Sequence, residues 1–157
     1  MNGLLNLTAS ILDRLQDMEP GEGTESTRYR IVSEQQILES VVRDIENLLN
    51  TRCSPVAVPE ALVRTRESLL LYGLRDFTGD NPESAFVRQK LCREIEKIIS
   101  IFEPRLKKPI VRVETREGRN RQLFFRISGI LMVEPLAEPV AFDTVFDLNR
   151  NQYVILK

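Results

Sequence analysis

The chain has 157 residues, of which 42% are hydrophobic, and this combination predicts one folded domain with a real core. Its 22 Lys and Arg residues are balanced by 23 Asp and Glu residues, so bulk charge does not favour a nucleic-acid-binding protein. Because the chain contains no histidine, Ser-His-Asp triads, Cys-His dyads and His-rich zinc sites are excluded. The two cysteines, Cys53 and Cys92, are too few for a Cys₄ metal site and are expected to be reduced thiols.

Residues 1–32 are predicted to be an amphipathic leader followed by a flexible linker. Apolar residues recur at helical spacing in residues 4–18, which indicates a short helix with one apolar face. Residues 19–30 are rich in glycine and acidic residues and lack periodicity, as is typical of a linker. A helix tethered in this way either folds back onto the domain or binds a partner, and the sequence leaves both readings open.

The beginning of the chain also bears on localisation. It lacks the basic region of a secretory signal, and no apolar run approaches the length that a membrane span needs. We therefore expect a cytoplasmic protein that does not insert into a membrane.

The second predicted unit, residues 33–157, begins with a helix. Ser33 and Gln36 form a capping box, in which each side chain satisfies a free backbone donor at the helix start. Apolar residues then repeat along one wide face as far as Leu49. A short apolar piece at Ser68–Leu74 follows, and Gly73 is expected to end it.

A second long helix is predicted to begin at Asn81-Pro82, with asparagine as the cap and proline in the first turn. It is predicted to end at Glu103, because Pro104 disfavours helical backbone in the residue before it. Its charged residues, Glu96 among them, are expected to face solvent.

After residue 109 the hydrophobic period changes to two, which predicts strands. A strand at 111–114 is followed by a turn at 117–120 and a long strand at 123–133. Residues 134–139 are predicted to be a loop, and 140–148 with 153–156 a final hairpin. Helices followed by consecutive strands predict an α+β fold, with N-terminal helices packed on a C-terminal antiparallel sheet.

Two segments of the predicted sheet bear on binding. The last strand, Gln152–Leu156, is apolar on both faces, and it is either an edge strand that pairs with another chain or a central strand covered by helices. Residues 105–126 contain eight Arg and Lys residues but only two acidic ones. This basic segment is either a solvated strand pair or a docking surface for an acidic partner.

No catalytic motif and no metal-ligand spacing is found in the sequence. Glu103 is the best candidate for a catalytic acid, since it ends an apolar helix, but the nearby Arg105 favours its ionised form, the wrong direction for a general acid. Glu103-Pro104-Arg105 is better interpreted structurally, because proline fixes how the flanking charges are presented. An ion pair within the chain, one shared with a partner, and an ordinary surface pair are the alternatives.

The run of residues 95–106, Ile-Glu-Lys-Ile-Ile-Ser-Ile-Phe-Glu-Pro-Arg-Leu, resembles the signature of the phage T4 gene-25-like, or GPW, baseplate family. In that family a long helix ends in Glu-Pro-Arg and a sheet follows, and residues 123–131 here resemble the family's sheet strand, with its Phe-x-Ile-x-Gly-x-Leu pattern. Residues 48–52 and Tyr72-Gly73-Leu74 are similar to earlier family segments. Residues 10–20 are similar to the leader of the type VI secretion members of the family.

The resemblance implies a non-enzymatic structural subunit of a type VI secretion baseplate wedge, with the gene-25-like fold and no cofactor. The implied partners are other wedge subunits and contractile sheath subunits, which would be joined by shared β-strands. Nucleic acid, membrane insertion and a small-molecule substrate are not expected. The predicted interface residues are Glu103, Pro104, Arg105, Arg14, Leu15, Arg126, Tyr153, Val154 and Ile155.

Two other functions fit the same fold. An anti-adaptor that sequesters a proteolysis factor is the first alternative, although the leader at residues 10–20 argues against it. A tail lysozyme that hydrolyses peptidoglycan is the second, and it needs a pair of carboxyl groups that Glu103 would have to supply in part.

Overall fold

The computed structural model describes residues 34–77, 79, 81, 84–114, 122–133 and 136–156. The predicted leader and linker, the Ser33 cap, and the predicted interface residues Arg14 and Leu15 lie outside this part of the chain. The division at residue 32 therefore stays a prediction.

The first described helix, α1 (Glu34–Asn50), buries the apolar face that the sequence predicts. Ile45 and Leu49 on this face are fully buried in the core. A four-residue helix, α2 (Val63–Arg66), and a 3₁₀ turn, Leu69–Leu71, follow. The prediction placed the apolar piece at Ser68–Leu74 but missed α2, whose four residues are too few to show a helical period.

The long helix α3 (Ala85–Phe102) begins three residues later than the Asn81-Pro82 start that was predicted. The Asn81 carbonyl accepts a tighter turn bond from the Ser84 amide (3.1 Å), and the helical bonds begin at the Ser84 carbonyl, which accepts from Arg88 (3.0 Å). Ser84 is thus the N-cap residue. The predicted end is confirmed, with Phe102 as the last helical residue and Glu103 as the C-cap.

Four strands form one antiparallel sheet in the order β1 (Leu106–Glu114), β2 (Gln122–Val133), β3 (Leu136–Asp147) and β4 (Gln152–Leu156). Both long helices pack on one face of the sheet, α3 mainly on β1 and α1 on β4. Phe125 and Ile127 of β2 point into the core between sheet and helices. The predicted α+β class is confirmed.

The strand boundaries correct the sequence prediction in two places. β1 begins at Leu106 rather than after residue 109. Residues 136–139 are not a loop, because Pro139 pairs with Ile130 inside the sheet. β4 pairs only with Asp143–Asp147 of β3, so Pro139 has no neighbouring strand on that side. Proline is tolerated there because no acceptor is waiting for the N–H that it lacks.

The connection after α1 is fixed by Gly73. Its φ of +109° is readily adopted only by glycine, and a Cβ at this position would lie 2.4 Å from the Thr51 carbonyl oxygen. This close approach lets Leu74, which is fully buried, bond the chain just after α1: its amide donates to Thr51 (2.9 Å) and its carbonyl accepts from Cys53 (3.0 Å). The end of α1 is therefore held in place by the strand-like segment at Leu74.

Candidate functional site

The Glu103-Pro104-Arg105 motif lies at the junction of α3 and β1. The Glu103 amide still donates to Ile99 of the helix (2.9 Å), and the Glu103 carbonyl accepts from Leu106, the first residue of β1 (3.1 Å). The Arg105 carbonyl accepts from Met132 near the end of β2 (2.8 Å). Main-chain bonds on both sides therefore fix the position of the motif between helix and sheet.

Arg105 makes a two-point ion pair with Glu103. Its Nε donates to Glu103 Oε1 (2.7 Å) and its Nη2 to Oε2 (2.6 Å), while the Arg105 amide also donates to Oε1 (3.2 Å). The Glu103 side chain is only 4% exposed, so this carboxylate is buried together with its counter-charge. The hydrogen bonds that Arg105 donates to the Glu103 carboxylate raise the pKa of Arg105 above its ordinary value.

The same guanidinium reaches across to α1. Arg105 Nη1 donates to Ser40 Oγ (3.0 Å), and Nη2 donates to Asp44 Oδ2 (2.5 Å). We call Ser40, Asp44, Glu103 and Arg105 the Arg105 cluster. Because its members come from α1 and from the α3–β1 junction, the cluster connects two elements that are distant in sequence.

Tyr72 borders the Arg105 cluster. Burial, and then the negative charges of Asp44 and Glu103, raise the pKa of Tyr72. Its ring packs edge-on against Phe102, with the ring centres 5.2 Å apart. The Tyr72 phenol is thus within electrostatic range of two carboxylates of the Arg105 cluster.

Of the three arrangements left open by the sequence, the structure has the ion pair within the chain. Glu103 is buried, Arg105 keeps 26% of its side chain exposed, and Pro104 lies on the surface. Of the three residues of the motif, therefore, Pro104 and the outer part of Arg105 can touch a partner in this conformation, and Glu103 cannot.

The three predicted interface residues of β4 are placed differently from one another. Tyr153 and Ile155 face the core, where Tyr153 stacks on Phe146 with ring centres 4.4 Å apart. Burial raises the pKa of the Tyr153 phenol. Val154 points to the opposite face and is 47% exposed. Side-chain contacts to a partner would therefore come from Val154, whereas Tyr153 and Ile155 can offer only their main chain.

The outer edge of β4 is occupied by side chains of α1 in this conformation. The Tyr153 amide donates to Asn50 Oδ1 (2.8 Å), and the Tyr153 carbonyl accepts from Asn50 Nδ2 (2.9 Å). The Ile155 amide donates to Glu46 Oε1 (3.4 Å). β4 is the last strand of the sheet, as an edge strand must be, but side chains of α1 occupy these outward-facing groups.

The opposite edge, β1, is covered by α3. Glu96 accepts a hydrogen bond from the Val111 amide (2.8 Å), so the prediction that its side chain faces solvent was wrong. The Val113 main chain bonds the thiol of Cys92, one helical turn before Glu96. Burial raises the pKa of that thiol. The outward-facing amides of an edge strand need hydrogen-bond acceptors, which explains why the charged Glu96 lies on the side of α3 that faces β1.

Arg126 lies on the sheet face away from the helices, with 53% of its side chain exposed. Its Nε donates to Asp143 Oδ1 on the neighbouring β3 (3.0 Å), and Nη1 lies 3.7 Å from Glu114 Oε1 on β1. The basic segment is thus partly neutralised by acidic residues of adjacent strands.

The described residues contain no group of three or more acidic, Cys or His side chains that could hold a metal ion, and no helix among them is long and apolar enough to span a membrane. A cleft of about 770 Å³ lies between the segment after α1 and α3. Its carboxylates are the exposed Glu67 and Asp76 and the partly buried Glu94, whose Oε1 lies 3.6 Å from Arg75 Nε, so none has the apolar, uncharged surroundings that a catalytic acid needs.

Sequence reasoning missed Ser40, Asp44, Glu46 and Asn50. The first two lie one helical turn apart on α1, and so do the last two. A polar pair at this spacing beside a buried apolar face was the available signal, but it is common on helices and does not identify the partner.

These features define an α+β domain in which two helices cover one face of a four-stranded sheet and an arginine-centred ion pair fixes the corner between them. The family model described as baseplate wedge protein gp25 matches residues 35–136, which is more than half of the chain. The chain belongs to this family of baseplate wedge proteins.

No match was found among curated proteins. One chain of a solved structure, "The baseplate complex from the type VI secretion system", is 18% identical, with 78% of this chain and 96% of that chain covered and a TM-score of 0.49.

Proposed function

We propose that this protein is a non-enzymatic structural subunit of a type VI secretion baseplate wedge, of the TssE type. It docks on other wedge subunits and initiates assembly of the contractile sheath by β-strand sharing, in the cytoplasm at the inner face of the cell envelope. The observation that carries this proposal is the family match over residues 35–136. The resemblance of residues 10–20 to the type VI secretion leader supports the choice of that machine.

The absence of catalysis in this proposal rests on Glu103. A general acid must give its proton to a substrate, yet both carboxyl oxygens of Glu103 already accept bonds from Arg105. The side chain is also buried, which keeps a substrate away from it. Glu103 therefore serves to position Arg105 and the chain around Pro104.

Wedge docking is assigned to the surface around Pro104. The Arg105 cluster holds this point between α3 and β1, so Pro104 and the exposed part of Arg105 are presented without a flexible loop. A rigid surface loses little conformational entropy on binding, which favours affinity. Arg126, on the outer face of the sheet, is a further docking residue among those described.

Sheath initiation is assigned to β4. Its side chains Val154 and Leu156 are 47% and 43% exposed on the outer face, and the strand carries no charged residue from Gln152 to Leu156. An edge strand without charge or proline is suited to pairing with another strand once its outer groups are available.

The experiment is deletion of the coding gene in the source bacterium, with a fluorescent sheath subunit as the readout. We expect no sheath in the deletion strain and normal sheaths after complementation with the wild-type chain. Normal sheath assembly in the deletion strain would contradict the proposal.

Docking is tested with Pro104→Lys, which adds bulk and charge at the surface while leaving the bonds of the Arg105 cluster in place. Wedge subunits that co-purify with the tagged chain should fall about tenfold, as at the centre of an interface. The matched control is Pro59→Lys, at another exposed proline. Equal recovery with both variants would remove Pro104 from the interface.

A further inference from the structure

The side chain of Asn50 imitates a neighbouring strand. Its amide group accepts from the Tyr153 N–H and donates to the Tyr153 carbonyl, the same two bonds that a residue of an added strand would make. The second hydrogen of Asn50 Nδ2 is used within α1, on the Glu46 carbonyl (2.9 Å). The amide is thus held in one orientation by bonds on both sides.

Glu46 extends this arrangement along β4. It lies one turn before Asn50 on α1 and accepts from the Ile155 amide, two residues beyond Tyr153. The distance along α1 from Glu46 to Asn50, four residues, thus matches the distance along β4 from Ile155 to Tyr153, two residues. An incoming strand would need both of these amides, so it competes directly with Glu46 and Asn50.

Helix side chains also bond the outer main-chain groups of β1, but they come from a different part of their helix. There Glu96 and Cys92 belong to the middle of α3, which packs along β1. Helix α3 packs more extensively on β1 than α1 packs on β4, and Asn50 is the last residue of α1. β4 is therefore the edge that can be opened at the smaller cost.

We propose that Glu46 and Asn50 form a latch, here called the β4 latch, that closes the outer edge of β4 in the free subunit. During assembly an extended strand of a partner replaces the latch on Tyr153 and Ile155. The partner strand carries apolar residues beside Val154 and Leu156, the two exposed apolar side chains of β4. This inference rests on the proposed function and adds how the strand-sharing site is controlled.

The latch explains how this edge avoids unwanted pairing. Edge strands are usually protected by charged residues or proline, and β4 has neither between Gln152 and Leu156. Without the latch, two copies could pair through β4 before the baseplate is built. The latch keeps the subunit monomeric until a partner strand competes for the edge.

The test uses the purified full chain with both Glu46→Ala and Asn50→Ala. Hydrogen exchange of the Tyr153 and Ile155 amides should become about tenfold faster, the effect of removing one or two moderate hydrogen bonds. The matched control carries Glu39→Ala and Asn47→Ala, two exposed positions of the same helix. Equal exchange in the two double variants would overturn the latch.

The second readout is binding of a fluorescent peptide with the sequence of residues 151–156, extended by two lysines for solubility. The latch-free variant should bind it about tenfold more tightly than the control, because a larger fraction of the protein has an open edge. Faster exchange without tighter peptide binding would also overturn the inference, since the opened edge would then accept no strand.

The latch and the proposed function fail separately. If the exchange and peptide measurements match the control, the latch is wrong even when cells assemble sheaths normally. If the gene deletion leaves sheaths intact, the baseplate role is wrong even when the latch opens as expected.

Discussion

Helix α1 is attached to the rest of the protein at two places whose chemistry differs. In the middle of the helix, Ser40 and Asp44 accept hydrogen bonds from Arg105, whose main partner Glu103 is buried. At its last turn, Glu46 and Asn50 bond main-chain groups of β4 at the rim of the sheet. The first attachment places charges out of water, where losing one partner is costly, and the second can exchange its bonds for those of water or a strand.

This difference assigns the two attachments different roles. An ion pair whose carboxylate is buried fixes a geometry, because every alternative leaves the Glu103 carboxylate without its counter-charge. The hydrogen bonds at the rim join partly buried main-chain groups of β4 to the exposed Asn50, and they cost less to exchange because water or a strand can satisfy the released groups. We therefore expect the Arg105 cluster to be kept in the assembled state and the β4 latch to be replaced.

The largest effect is expected from Arg105→Ala. Removing the guanidinium leaves the buried Glu103 carboxylate without its counter-charge, and the free energy of unfolding should fall by about 3–5 kcal/mol. Urea unfolding measures this loss. Arg126→Ala, which removes the exposed ion pairs with Asp143 and Glu114, should change the stability by less than about 1 kcal/mol. Similar losses in both variants would contradict the distinction between buried and exposed pairs.

Gly73→Ala tests the anchor that follows α1. A Cβ at this position would lie 2.4 Å from the Thr51 carbonyl oxygen, and the φ of +109° strains any other residue. The free energy of unfolding should fall by at least about 2 kcal/mol. Because the end of α1 is displaced, the amide of Tyr153 should also exchange faster. The control is Gly79→Ala, where an added Cβ meets nothing within 4 Å.

Asn50→Ala should cost less than either change, about 1 kcal/mol, because its bonds lie at the rim where water can replace them. A double-mutant cycle with Arg105→Ala separates the two attachments: independent sites give additive losses. Additivity would show that the latch opens without disturbing the Arg105 cluster. A coupling energy as large as the Asn50→Ala loss itself would contradict the separate roles.

The smallest effect concerns pH. Burial raises the folded-state pKa of Tyr153 above that of the unfolded chain, so the unfolded state loses its phenol proton first. Stability is then complete below about pH 10 and decreases as the pH rises further. Tyr153→Phe should weaken this decrease in urea unfolding measurements. Tyr72→Phe, at a less buried phenol, should weaken it less, and an unchanged pH dependence in Tyr153→Phe would contradict the burial argument.

Much of the fold could be predicted because it depends on local patterns. The apolar face of α1, the stop at Pro104 and the alternation along β2 all follow from spacing that the sequence displays. The start of α3 and the inclusion of Pro139 in β3 were missed, since both depend on which neighbour receives a hydrogen bond.

The site was predictable only in part for the same reason. Glu103 and Arg105 lie two residues apart, and their pairing could be anticipated from the sequence. The contacts of Arg105 with Ser40 and of Asn50 with Tyr153 join residues that are 65 and 103 positions apart. Such pairs depend on how the helices pack on the sheet, and no periodicity in the sequence reports it.

The most direct test of the account is the structure of the baseplate isolated from the source bacterium through a tag on this chain. We predict a partner strand beside β4, hydrogen-bonded to the main chain of Tyr153 and Ile155, with Asn50 turned away and Arg105 still bonded to Glu103. An assembled complex in which Asn50 still bonds Tyr153 and no strand adjoins β4 would contradict the account.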